Sequence, residues 1–255
     1  MRNALYILLA PLLALAAGTQ EQTRTIHVFV ALCDNEHQGI VPVPQRLGNG
    51  DDPNNNLYWG ALYGTKTFLK KSKGWKVVAT DKNPTEAILE RIIFRHAATG
   101  TYLVADAYRG RNIKEAVGDF LSAAAGNAAK ELAIGETKIR VAGGSDLVAY
   151  LGHNGLMDFS VEQTMQRKPA DARDAIVLAC KSKPYFQPRL EKLGCRAVLL
   201  TTGFMAPEGY TLEAAVEGWI AGENAEQIAQ RAARAYDKYQ KCGVKAARRL
   251  FYSEN

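Results

Sequence analysis

Hydrophobic positions along the chain fall into two patterns, short apolar runs and amphipathic stripes, and the two alternate. The runs at 25–32 (TIHVFVAL), 75–80 (WKVVAT), 101–108 (TYLVADAY), 146–152 (DLVAYLG), 174–179 (DAIVLA) and 197–202 (AVLLTT) have the length and β-branched content of buried strands. Stripes at helical spacing predict helices over 57–71 (Leu57, Ala61, Leu62, Thr65, Phe68, Leu69) and 112–125 (Ile113, Ala116, Val117, Phe120, Leu121). A third stripe spans 225–242, through Ile228, Ala229, Ala232, Ala233, Tyr236 and Tyr239. Asn83-Pro84-Thr85-Glu86 reads as the opening of a helix to residue 96, and Thr211 as the cap of one over 211–221. Residues 183–193 follow the fifth run as a helix containing Pro184 and Pro188, and 126–144 reads as helix to Leu132 with a short strand at 138–141. Residues 38–56, dense in Gly, Pro, Asn and Asp, form a long loop.

This order predicts an α/β fold, a three-layer αβα sandwich with a mostly parallel central sheet. Functional groups in such sheets gather beyond the carboxyl ends of the strands. Cys33, His153, Cys180 and Thr201-Thr202 all fall at those ends. The run at 146–152 delivers His153-Asn154-Gly155, and the run at 174–179 delivers Cys180-Lys181-Ser182. Parallel neighbours finishing level would put an imidazole beside a thiol, the minimum equipment of a cysteine nucleophile.

Composition narrows the class. The 255 residues, 47% hydrophobic and 23% charged, suit one soluble α/β domain without internal repeats. The net charge of +6 comes with no run of five basic residues and no basic stripe with interleaved aromatics, so no nucleic-acid partner is expected. Arg2, the apolar stretch 4–17 and the small residues around Ala14-Leu15-Ala16 read as a secretory signal peptide over 1–18. A single domain over 24–255, ending in a helix, follows it. Export to the periplasm or the extracellular space is therefore expected, with no stable membrane span after signal removal.

Four cysteines, Cys33, Cys180, Cys195 and Cys242, are too widely spaced for a zinc ribbon or a dense disulfide framework. In an oxidising compartment Cys195–Cys242 is the expected bridge, because it leaves the two strand-end thiols free. Cys33, Asp34, Glu36 and His37 are too close in sequence to converge on a metal from one extended segment. The chemistry of a thiol and an imidazole calls for no metal or organic cofactor.

DLVAYLGHNG followed by DAIVLACKS resembles the caspase-like (clan CD) cysteine peptidase superfamily, which also includes metacaspases, gingipains, legumains and separases. Its members present a strand ending in His-Gly and then a strand ending in Ala-Cys or a close variant. NIKEAVGDFLSAAA resembles the helix before the His strand, and AVLLTTGF with GYTLEAAVEGWIAG the strand and helix after the Cys, so the likeness covers about residues 75–222. The resemblance implies a peptidase acting on peptides or proteins, with Cys180 as nucleophile and His153 as general base and acid. It implies that backbone N–H groups of Asn154 or Gly155, and of Cys180, stabilise the oxyanion. Cys33, Asp34 and Glu36, with Thr201 and Thr202, would lie near the substrate, the carboxylates favouring a basic side chain. Asn154 stands where the family has Gly, and Leu178 where metacaspase-like members often have Asp. The alternative is a catalytically inactive caspase-like protein that keeps the fold for binding or scaffolding.

Overall fold

The computed structural model describes residues 23–162 and 173–253; the expected signal peptide lies outside them. In chain order the first half comprises β1 (Thr25–Ala31), α1 (Thr65–Lys71), β2 (Trp75–Lys82), β3 (Ile88–His96), β4 (Tyr102–Tyr108), α2 (Ile113–Ala124), β5 (Lys130–Ile134) and β6 (Thr137–Val141). The second half comprises β7 (Leu147–Leu151), β8 (Asp174–Leu178), α3 (Ser182–Leu193), β9 (Arg196–Thr201), α4 (Gly209–Ile220), α5 (Ala225–Gln240), α6 (Val244–Leu250) and β10 (Phe251–Tyr252).

Eight strands form one sheet in the order β10-β9-β8-β7-β1-β4-β3-β2. The five from β9 to β4 are parallel, whereas β10 joins β9, β3 joins β4 and β2 joins β3 through antiparallel pairings. β1 lies between β4 and β7, so the chain turns to opposite sides of it, which opens a crevice at the carboxyl ends. All seven residues of β1 are buried, and they alternate between two cores. Ile26, Val28 and Val30 pack with Leu69 of α1, Val216 of α4 and Ala232 of α5. Phe29 and Ala31 pack with Phe120 of α2 and Phe186 of α3. Helices thus cover both faces, an arrangement compatible with a three-layer sandwich. Each fully buried Phe or Leu contributes about 1.5–3 kcal/mol by leaving water.

Several expectations are corrected. Residues 83–96 are not a helix: 83–87 turn the chain, with Asn83 at φ +50, and 88–96 form β3. Ile88, Leu89, Ile92 and Ile93 mimic a helical stripe because β3 is covered on both faces, and a two-sided strand has no strict alternation. The stripe at 57–71 becomes helix over Thr65–Lys71 alone, and 126–144 holds the β5–β6 hairpin, turning at Gly135 (φ +59). Glu208, not Thr211, stands at the start of α4. Cys195 and Cys242 are unbridged, one buried and the other exposed. No helix among the described residues is long and apolar enough to cross a membrane.

Candidate active site

β7 and β8 run in register, with Leu151 opposite Leu178, and the Gly152 N–H donates to the Leu178 carbonyl at 3.2 Å. His153 and Cys180 therefore leave the sheet from the same rung. Gly152 has φ +151, and a Cβ there would come within 2.9 Å of the Ala31 carbonyl oxygen, so glycine is what lets the chain turn off against β1. Beyond β8, Lys181 takes the left-handed conformation (φ +48) and α3 begins at Ser182, a strained strand-to-helix bend immediately after Cys180. Buried hydroxyls lock that bend: Ser182 Oγ donates to the Val177 carbonyl at 3.0 Å, and the Thr201 N–H donates to Ser182 Oγ at 2.8 Å.

His153 and Cys180 line one cavity of about 330 Å³. Tyr58 joins them, and Ile40, Val43, Met157 and Met205 make much of the remaining wall. Val41 (88% exposed) and Phe204 (69% exposed) stand beside it, so the mouth is apolar as well. Burial pushes the Tyr58 phenol well above its ordinary value and keeps it neutral. The Cys180 sulfur is half-buried against the Met205 peptide, whose N–H donates to it at 3.4 Å. The sulfur in turn donates to the Met205 carbonyl at 3.5 Å. Asn154 Nδ2 donates to the Cys180 carbonyl at 2.8 Å, and the Tyr150 hydroxyl donates to the His153 carbonyl at 2.7 Å, so the two strand ends are tied together and to the core.

The imidazole is held from outside the strand. His153 Nε2 lies 2.6 Å from Asp158 Oδ2. A carboxylate only accepts, so Nε2 carries the proton and Nδ1 is the basic nitrogen. Sequence reasoning missed Asp158 because it stands five positions beyond His153, and the turn Gly155–Met157 is what folds it back.

The expected substrate contacts are redistributed. Cys33 is fully buried, and burial pushes its thiol up to about 11. Asp34 accepts the Glu36 and His37 N–H groups and meets the His37 ring at 3.0 Å. With Glu36 it lines a separate polar hollow of about 120 Å³, not the cavity at Cys180. Thr201 is buried in the bend beneath Cys180, donating to the Ala179 carbonyl, and exposed Thr202 donates to the Arg249 carbonyl at 2.8 Å. The Gly155 N–H is taken up by the His153 carbonyl at 3.0 Å, which leaves Asn154 and Cys180 as the backbone candidates for an oxyanion.

Among the described residues no group of three or more His, Cys, Asp or Glu side chains is arranged to hold a metal ion. Compared with protein-family models, with curated proteins and with solved structures, the chain matches none.

Proposed function

We propose that the chain is an exported caspase-like cysteine endopeptidase working through Cys180 and His153. The observation that carries this reading is that the thiol and the imidazole leave adjacent parallel strands at one rung and line one cavity. His153 Nδ1 takes the thiol proton, and the sulfur attacks the scissile carbonyl carbon to form a C–S bond. The imidazolium then protonates the departing amine as the C–N bond breaks. Water, deprotonated by His153, cleaves the resulting thioester and restores the thiol. Backbone N–H groups of Cys180 and Asn154 would face the oxyanion, and one such donor is worth about 10²–10³ in rate.

The cavity wall favours an apolar side chain next to the scissile bond over the basic one expected from Asp34 and Glu36. Its volume sits near the lower end of ligand pockets, which span about 300–1,000 Å³. Incubation with a mixed peptide library, read by mass spectrometry, is expected to give cleavage after Leu, Met or Phe at least about tenfold faster than after Lys or Arg. Cleavage after basic residues would overturn the specificity. A library left intact would favour the second reading, a non-catalytic binding or scaffold relative, for which the occupied Gly155 N–H speaks.

A further inference from the structure

We infer that Asp158 is a positioning residue that fixes the His153 ring and ties it to the loop forming the cavity wall, an inference resting on the Cys180–His153 reading above. Two contacts meet at one oxygen. Asp158 Oδ2 accepts from His153 Nε2 at 2.6 Å and from the Gly39 N–H at 3.1 Å. The first contact sets the tautomer, with the proton on Nε2 and the lone pair on Nδ1, and the carboxylate's negative charge stabilises the positive charge that appears when Nδ1 takes the thiol proton. The second pins the start of the segment that supplies Ile40, Val41 and Val43 to the cavity.

Gly39 is fitted to this contact. A Cβ there would come within 2.7 Å of Asp158 Oδ1, so a larger residue would push the carboxylate off the imidazole. On the other side the chain returns through the turn Gly155–Met157, with the Asp158 N–H donating to the Gly155 carbonyl at 2.9 Å. The side chain of His153 is 7% exposed and that of Asp158 38%, so the pair sits at the cavity margin with its imidazole end shielded from water. Tyr58, which shares the cavity with His153, is kept neutral by burial, and the Lys181 ammonium lies 4.4 Å from the Phe204 ring centre.

The test is the pH–rate profile of Cys180 alkylation by iodoacetamide, measured by mass spectrometry in the wild type, Asp158→Asn, Gly39→Ala and His153→Ala. Exposed Cys242 serves as internal reference. At about pH 6, Asp158→Asn is expected to slow Cys180 by about tenfold, the gap closing above about pH 9 where an unaided thiol ionises. Cys242 should be unmoved, and Gly39→Ala should shift the profile in the same direction by less. A profile for Asp158→Asn that superimposes on the wild type, while His153→Ala still slows Cys180, would overturn the role of Asp158 and leave the pair standing. A fall equal at every pH, with a lowered melting temperature, would overturn it in favour of a purely structural tie. Labelling of wild-type Cys180 that does not depend on His153 would instead remove the reading on which the inference rests.

Discussion

Replacing Cys180 with alanine is expected to abolish peptide hydrolysis, lowering kcat/KM by at least about 10⁴-fold. Among the described residues, the nearby Ser182 and Cys33 are not placed to substitute. Ser182 is buried and bonded to Val177 and Thr201, and Cys33 is buried with its thiol pushed up to about 11. The fold should tolerate the change. The sulfur is half-buried, and its polar partners are the backbone N–H and carbonyl of one residue, Met205, at 3.4 and 3.5 Å. Loss of such weak contacts is expected to cost about 1 kcal/mol or less, readable as an almost unchanged melting temperature. His153→Ala should fall to a similarly low rate, because the proposed mechanism uses the two groups as one unit. Turnover surviving in the alanine variant of Cys180 would assign the hydrolysis to another site.

The largest effect on stability is expected at Asp106. Its carboxylate is fully buried and accepts from Arg91 Nε and Nη2, each at 2.6 Å, and from His27 Nε2 at 3.0 Å. The His27 ring is fixed in turn by the Ala142 N–H, which donates to Nδ1 at 3.0 Å. One carboxylate therefore joins β1, β3, β4 and the turn after β6. Burial alone would raise Asp106, but the hydrogen bonds from Arg91 and His27 outweigh it and hold the carboxyl below the usual range. Asp106→Ala leaves a guanidinium and an imidazole facing an apolar gap, and breaking a buried pair in this way costs about 3–5 kcal/mol. The sign with pH follows from the lowered value. The stabilisation is complete above the unfolded carboxyl's value of about 3.9 and is lost as pH falls through the lower folded one. Urea denaturation at neutral pH should show the full loss, and wild type and variant should converge in acid. Equal stabilities at neutral pH would contradict it.

The parts of this fold legible from sequence are those whose burial writes itself into the pattern. β1, β7, β8 and β9 are apolar runs because parallel strands in mid-sheet are covered on both faces, and α2 shows Ile113, Val117, Phe120 and Leu121 on one side because it packs on one face alone. β3 deceived for the same reason. Two-sided burial erased its alternation, and Pro84, which suits the first turn of a helix, lies instead in a hairpin connection. The β5–β6 hairpin, exposed along much of its length, carried a weak apolar signal, although Gly135-Glu136 between short runs is a turn signature.

The shared rung of His153 and Cys180 was readable because neighbouring parallel strands in register finish level. Asp158 was not, since its approach depends on a short turn. The wall formed by Ile40, Val41 and Val43 was not readable either, because a loop has no period. That loop is ordered by side chains: Asn35 bonds both backbone groups of Val43, and Asn56 bonds both backbone groups of Cys33. Asp34 and Glu36 line a hollow apart from the Cys180 cavity because Asp34 turns back onto His37 and the following N–H groups, a local turn that no period announces.

The most direct measurement is a short pulse of a small electrophile at neutral pH, followed by peptide mapping of all four cysteines. Burial holds the Cys33 thiol at about 11 and the Cys195 thiol at about 12, so these two should stay unlabelled while the protein is folded. Cys180 is expected to react at least about tenfold faster than exposed Cys242 and to lose that lead in His153→Ala. Labelling of Cys180 no faster than Cys242, or unchanged when the imidazole is removed, would contradict a working thiol–imidazole pair.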